Sequence, residues 1–176
     1  MEREMPISHQ LHLRTSLLPA TQEQANAIDN LMQHYAYDWS EVLLLNVGLD
    51  GRFAVPKLDA YWSEEGHHPF LIWVNDAVAG FALIVDRSRL NGAPGVFDMA
   101  EFFVLRRFRR QGVGITAAFA AFDRFKGPWE VRQRLEAPAA TAFWQRVIGS
   151  YTRGRYEAQV WNGPEWSGPV QRFSTA

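Results

Sequence analysis

Cysteine is absent from this chain of 176 residues, which excludes disulfide bonds, thiolate metal sites and a cysteine nucleophile. Histidine is scarce as well. None of the five histidines belongs to an HExxH motif, in which two histidines at i and i+4 bind zinc. We therefore expect no metal site.

The chain also lacks a long apolar run and an excess of one charge. No segment approaches the roughly twenty apolar residues that a membrane span requires, and residues 1–6 do not read as a signal peptide. The net charge is −1, which argues against nucleic acid as a partner. We expect a cytoplasmic protein without membrane contact. The 47% of hydrophobic residues suffices for one core, so we expect a single domain over residues 1–176.

An arginine-rich turn between a predicted strand and a predicted helix is the most informative feature. The strand covers residues 96–105, and four arginines follow within residues 106–110. Gly112 and Gly114 can adopt positive φ, so that successive backbone N–H groups converge on one ligand. The first N–H groups and the dipole of the following helix favour an anion there. The turn therefore predicts a phosphate or pyrophosphate site.

The glycine spacing decides among the known phosphate-binding motifs. A Walker loop requires Gly-Lys-Ser/Thr and a dinucleotide fingerprint requires a third small residue plus a later acidic residue, and this context is missing. The segment Arg-Arg-Gln-Gly-Val-Gly at residues 109–114 resembles the Arg/Gln-x-x-Gly-x-Gly/Ala acetyl-CoA signature of the GNAT superfamily of N-acetyltransferases. The resemblance runs in order from the first predicted helix to the last strand.

The resemblance implies where the co-substrate acetyl-CoA binds. In the family the fourth and fifth strands splay apart, and the pantetheine arm lies in the gap against strand backbone at the positions of Phe103 and Val104. The pyrophosphate would then bind the turn, and arginine side chains would add charge-assisted contacts. The residues implied in that turn are Arg109, Arg110, Gln111, Gly112, Val113, Gly114 and Ile115.

The periodicities predict an α/β fold with a mixed, mostly antiparallel sheet of six to seven strands and about four helices. The central parallel pair is splayed for coenzyme A, as the resemblance implies. We predict strands at residues 9–18, 68–74, 77–86, 96–105, 129–135, 156–161 and 170–173. Helices follow a Thr21–Gln24 capping box, span residues 58–62 and 115–125, and end at Gly149.

Acetyl transfer to an amine makes removal of the amine proton the harder step. At pH 7 the neutral form of an amine with a pKa of about 10.4 is disfavoured by about 3.4 units. The thiolate of a thiol with a pKa of about 8.5 is disfavoured by only about 1.5 units. A general base is therefore needed more than an acid. Glu101, in an otherwise apolar strand, is the leading base, and Asp98 and ordered water are alternatives. Glu101 can instead pair with Arg132 or Arg134.

The sequence departs from the family at the general acid. Many members carry a tyrosine on the fourth helix where this chain has Trp144, and an asparagine where it has Ala137. Tyr151 is a candidate acid, or a packing residue. We expect the amine acceptor at residues 35–68, where Tyr61, Trp62, Glu64 and Glu65 suit an ammonium group.

Taken together, the resemblance implies an N-acetyltransferase. It would transfer the acetyl group of acetyl-CoA to a primary amine of a small molecule or peptide by direct attack in a ternary complex. An acyl-CoA-binding module with little or no turnover is the alternative. The oligomeric state stays open, with a homodimer among the options.

Overall fold

The computed structural model describes residues 13–176. Seven strands form one sheet in the order β1-β2-β3-β4-β5-β7-β6. All neighbouring strands are antiparallel except β4 and β5, which are parallel. This confirms the predicted mixed α/β sheet. The strands are β1 (Thr15–Pro19), β2 (His67–Val74), β3 (Ala77–Arg87), β4 (Pro94–Val104), β5 (Gly127–Arg132), β6 (Glu157–Asn162) and β7 (Ser167–Thr175).

Four α-helices complete the fold, as predicted: α1 (Ala25–Leu43), α2 (Ala60–Ser63), α3 (Val113–Arg124) and α4 (Pro138–Thr152). The Thr21–Gln24 capping box is present and begins a short 3-10 turn that runs into α1. None of the described helices is both long and apolar enough to cross a membrane.

Two hydrophobic clusters lie on opposite faces of the sheet. Ile28, Leu31 and Met32 of α1 pack on Phe81 and Phe103, which defines the α1 face. The other cluster brings α3 and α4 against the sheet, with Phe122 and Trp129 fully buried at its centre, and defines the α3–α4 face. Because side chains alternate along a strand, neighbouring residues of β4 belong to different clusters.

Several predicted element ends differ from the structure, and two of these differences have a clear physical cause. Helix α4 does not end at Gly149 but continues to Thr152. Arg153 then adopts a left-handed conformation, and the Gly154 N–H donates to the Gly149 carbonyl at 2.8 Å, a Schellman-type end that places the terminating glycine five residues later. The first strand includes Pro19, since an edge strand tolerates proline. Residues 9–12 of that predicted strand lie outside the described residues.

The remaining strand predictions hold, with ends shifted by a few residues. The Asn75-Asp76 hairpin joins β2 to β3, with Asn75 at φ 53°. Strand β5 begins at Gly127 and ends at Arg132, short of the predicted residue 135, whereas β7 is longer than predicted at both ends. β3 and β4 approach closely at Gly80, where a Cβ atom would lie 2.0 Å from the Phe103 carbonyl oxygen.

Candidate active site

Strands β4 and β5 separate at the centre of the sheet. Their register includes only Phe97 opposite Trp129 and Asp98 opposite Glu130. Beyond these pairs both strands continue, β4 to Val104 and β5 to Arg132, without pairing with each other. The predicted gap between the central parallel strands is therefore present.

The strand register shows which backbone groups face this gap. The Leu105 N–H donates to the Ala79 carbonyl at 2.8 Å, so Val104 and Gly80 form a non-hydrogen-bonded pair. The N–H and C=O groups of Val104, and of Phe102 two residues earlier, consequently point away from β3 toward the gap. The backbone of Phe103 points to β3, and its side chain packs on α1. The backbone of Phe102 thus lines the gap, whereas the backbone of Phe103, which was expected there, does not.

The glycine turn has the conformation that an anion site requires. Arg110 and Gly112 both adopt left-handed conformations, with φ of 63° and 82°. Helix α3 begins at Val113, and its first i→i−4 bond runs from the Thr116 N–H to the Gly112 carbonyl at 3.0 Å. The N–H groups of residues 113–115 therefore have no partner within the helix. The structure brings residues 109–115 together at one helix N-terminus, as predicted, and their contact with a pyrophosphate stays a prediction.

The four arginines of the turn differ in their contacts. Arg106 and Arg109 both form ion pairs with Asp38 on α1, and Arg109 Nε also donates to the Val104 carbonyl at 2.6 Å. Arg107 lies over the Phe108 ring. Arg107 and Arg110 have no carboxylate at ion-pair distance within residues 13–176. Half of the basic charge at the turn is therefore unpaired.

Aromatic side chains from β4 and α4 meet below the turn. Phe102 stacks on Phe143 with ring centres 6.2 Å apart, and a Cβ atom on Gly114 would lie 3.2 Å from Phe143. Trp144 is 6% exposed and packs against Phe102 and Phe122. Its place in the apolar cluster supports a packing role for Trp144.

Glu101 lies on the α1 face of β4, largely buried, opposite Leu83. Burial raises the pKa of the Glu101 carboxyl, and the Tyr35 phenol on α1 opposes that rise. The pKa of Tyr35 is raised as well, first by burial and then by the Glu101 charge, so the phenol stays neutral. A carboxyl group whose pKa is raised is a better proton acceptor once ionised, as a general base must be.

The ion pair considered for Glu101 forms elsewhere. Arg132 binds Asp98 through Nε at 2.7 Å and Nη2 at 3.0 Å, and the Asp98 side chain is fully buried. Asp98, the alternative base, therefore already forms a bidentate ion pair with Arg132. Within residues 13–176 no arginine lies at ion-pair distance from Glu101.

Tyr151 does not meet Glu101. Its ring packs against Phe119 and Phe122 on the α3–α4 face, and its hydroxyl donates to Asp123 at 2.8 Å. Burial, then Asp123, raises the pKa of Tyr151 to about 12, which makes it a weaker acid. The acid role of Tyr151 stays a prediction, and the packing alternative accounts for these contacts.

The predicted acceptor region separates into two parts. Tyr61 lies near Glu101, which contributes to raising its pKa, although burial is the larger cause. Glu64 and Glu65 are exposed at the end of α2. The sequence does not indicate the contacts of Tyr35 and Asp38, because their partners lie more than 60 residues away and no local pattern predicts them. A separate cavity of about 950 Å³ lies between α1 and residues 46–59 and does not include Glu101.

Comparison with known proteins gives consistent results. The family model described as the acetyltransferase (GNAT) family matches residues 29–149. No curated protein matches the chain. An acetyltransferase from Thermus thermophilus is 14% identical with a TM-score of 0.66, covering 92% of this chain and 97% of its own.

Two further solved structures contain coenzyme A. An aminoglycoside acetyltransferase in complex with coenzyme A and kanamycin is 14% identical, with a TM-score of 0.61 and coverage of 92% and 95%. Spermidine N-acetyltransferase from Vibrio cholerae in complex with coenzyme A and spermine is 10% identical, with a TM-score of 0.60 and coverage of 92% and 95%. At these identities the likeness concerns the fold.

Proposed function

Because the chain belongs to the GNAT family of acetyltransferases, we propose that it transfers the acetyl group of acetyl-CoA to a primary amine. The amine attacks directly in a ternary complex. The observation that carries the proposal is the gap between β4 and β5, which begins after Asp98, runs past Glu101 and leads to the left-handed turn before α3. The pantetheine arm would pair with strand backbone in the gap, and the anionic pyrophosphate would bind at the neighbouring turn.

Each end of the site has a separate task. The free N–H groups at residues 113–115 and the unpaired Arg107 and Arg110 bind the pyrophosphate. The backbone of Phe102 and the N–H group of Val104 pair with the pantetheine amides as an added strand would. Phe102 and Phe143, which stack beside Gly114, border the thioester end. The thioester carbonyl is thereby held near Glu101.

The reaction then requires one proton transfer at the amine. The amine nitrogen attacks the thioester carbonyl carbon, a C–N bond forms and the C–S bond breaks. The proton from the amine goes to Glu101, directly or through one water molecule, and the leaving thiolate takes a proton from solvent. The leaving thiolate is disfavoured at pH 7 by about 1.5 pKa units, whereas the neutral amine is disfavoured by about 3.4. The thiolate therefore needs less help, and turnover does not depend on an acid tyrosine at the Trp144 position.

The solved complexes support an amine as acceptor, since one contains kanamycin and another spermine with coenzyme A. The alternative, an acyl-CoA-binding module without turnover, is favoured by Trp144 at the usual tyrosine position. A cytoplasmic location, the absence of nucleic-acid partners and a homodimer stay predictions from the sequence.

Calorimetry with acetyl-CoA, followed by a thiol-release assay over a panel of amines, tests the proposal. Binding with amine-dependent thiol release is the expected result. Binding without release for any amine would favour the acyl-CoA-binding module. If acetyl-CoA does not bind, both functions are wrong.

A further inference from the structure

Arginine and tryptophan side chains alternate on the sheet beside Glu101. The Arg132 guanidinium lies 4.5 Å from the centre of the Trp166 ring, and Arg134 lies 5.9 Å from the same ring. Arg172 of β7 lies 5.0 Å from the Trp161 ring of β6. We refer to these five residues as the arginine–tryptophan cluster.

The cluster borders the proposed base. Arg132 holds Asp98, which lies three residues before Glu101 on β4. The charge of Arg132 also acts on the Glu101 carboxyl. Arg134 acts on the Tyr35 phenol, the side chain that opposes the rise in the pKa of Glu101. The arginines of the cluster therefore lie close enough to Glu101 to contact another part of an acceptor whose amine reaches it.

Two arginines of the cluster are already neutralised by carboxylates. Arg132 is neutralised by Asp98, and Arg172 by Glu130 at 3.0 Å. Glu130 is further fixed by the Ser88 hydroxyl, which donates to its second oxygen at 2.7 Å.

Two further cations remain. Arg134 is exposed, and no carboxylate within residues 13–176 lies at ion-pair distance from it. Arg89, in the turn after β3, likewise has no ion pair there, and its charge reaches Tyr61 and Glu101. Glu101, on which the charge of Arg89 acts, has no ion pair of its own within residues 13–176.

We propose that the acceptor of this enzyme is an amine that also carries an anionic group such as a carboxylate, and that Arg134 binds this group. The inference rests on the proposed function. A guanidinium offers a planar pair of N–H donors that matches a carboxylate, and the Trp166 ring holds that plane in place. An acceptor with several cationic groups would meet Arg89 and Arg134, so like-charge repulsion selects against it.

Three linear amines of the same length test this specificity: 6-aminohexanoate, its carboxamide and 1,6-diaminohexane. The carboxylate lies far from the amine, so the amine pKa is similar in all three. We expect kcat/KM to be about tenfold higher for the carboxylate than for the carboxamide, because a hydrogen bond to a charged group changes affinity by about that factor. The diamine should have the lowest kcat/KM.

Variants assign the preference to Arg134. Arg134→Gln should raise KM for the carboxylate about tenfold, with little change in kcat and no change for the carboxamide. Arg146→Gln, an exposed arginine on α4, is the matched control and should keep the parent preference. Equal use of the three amines by the parent enzyme, or an unaltered preference in Arg134→Gln, would overturn the inference.

A binding measurement separates this inference from the proposed function. Calorimetry on the protein saturated with coenzyme A compares the same three amines without requiring turnover. Tighter binding of the carboxylate, lost in Arg134→Gln, supports the inference even if no thiol is released. Turnover of all three amines without preference leaves the proposed function intact and defeats the inference.

Discussion

Glu101 is a carboxyl group largely buried on the α1 face without an ion pair among the described residues, and that arrangement costs free energy when the group ionises. The neighbouring Arg132 forms its ion pair with Asp98, and Tyr35 offers Glu101 only a neutral phenol. A side chain kept in a costly state beside a gap in the sheet is typical of a functional group.

Replacing Glu101 with glutamine removes the proposed base. The variant should lose about 100-fold in kcat/KM at pH 7, since general base catalysis commonly contributes this much or more. Raising the pH should recover much of the loss, because more of the amine arrives already neutral. Steady-state pH profiles of parent and variant measure this. Overlapping profiles would assign the base to water or to Asp98.

The same substitution should stabilise the fold at neutral pH. The pKa of Glu101 in the folded chain is raised above the ordinary value of 4.5, so the folded state retains this proton to higher pH than the unfolded chain. Stability therefore falls as the pH rises from 4.5 through the raised pKa. The charges that act on this carboxyl are Arg132, Asp98 and Arg89.

Urea unfolding at several pH values measures the effect. Glu101→Gln should exceed the parent in free energy of unfolding at pH 7, with the difference shrinking toward pH 4. Glu23→Gln, at an exposed carboxyl, is the control and should match the parent. A Glu101→Gln variant less stable than the parent at pH 7 would show that the ionised carboxylate stabilises the fold.

At this scale the sequence indicated Glu101, because it is one of only two carboxyl groups in an apolar strand and breaks the apolar pattern. It could not indicate that Asp98 takes Arg132, because a bulge in the pairing of β4 with β3 lies between Asp98 and Glu101. A one-residue irregularity changes which face a side chain occupies. The Asp38 pairs were equally invisible, since they depend on how α1 packs.

At the scale of elements, the turn before α3 depends on the left-handed conformation of Gly112. A β-branched residue is strained at φ 82° by roughly 1–2 kcal/mol, although no atom lies within 4 Å of the added Cβ. Gly112→Val should therefore fold but lose at least tenfold in affinity for acetyl-CoA, measured by calorimetry, because relief of the strain moves the N–H groups that bind the pyrophosphate.

A second glycine provides the control. Gly154 has φ 79° and also has no atom within 4 Å of an added Cβ, but it follows α4 and lies outside the turn. Gly154→Val should show similar destabilisation and unchanged affinity. Equal affinities for both variants would refute the placement of the pyrophosphate at residues 109–115.

Helix α4 contributes packing through Trp144. Trp144→Phe should lower the free energy of unfolding by about 1 kcal/mol, because a smaller ring leaves space in a close-packed cluster. Thermal unfolding, and kcat with a good amine substrate, are measured for the parent protein and for Trp144→Phe. Full thermal stability together with the loss of most of kcat would show that the indole acts in the chemistry instead.

Element types were predictable because each apolar period, of about 3.6 or 2 residues, is long and clear in this chain. Element ends were less so. Helix α4 passes through Gly149 because its apolar face continues and a Schellman end at Arg153 and Gly154 satisfies the last carbonyls. Both glycines were visible in the sequence, and only packing selects between them.

For the whole molecule, the sheet divides the site. Glu101 and α1 lie on one face, whereas α3, α4 and the aromatic residues Phe143 and Trp144 lie on the other. The opening between β4 and β5 connects the two faces. The resemblance implied this gap in advance, while the arginine–tryptophan cluster followed only from the register of β5, β6 and β7, which brings residues from separate segments together.

Asp38 links the two ends of the site through one turn of α1. It holds Arg106 and Arg109, and Tyr35, three positions earlier on the same helix, faces Glu101. A pyrophosphate bound by the N–H groups of residues 113–115 with Arg107 and Arg110 would also lie near Arg106 and Arg109, and its negative charge would weaken their ion pairs with Asp38 on the turn of α1 that carries Tyr35. From the proposed pyrophosphate site we expect a binding order in which acetyl-CoA binds first and the amine second. Product inhibition by coenzyme A should then be competitive toward acetyl-CoA and noncompetitive toward the amine, and in Asp38→Asn this compulsory sequence should relax toward random binding.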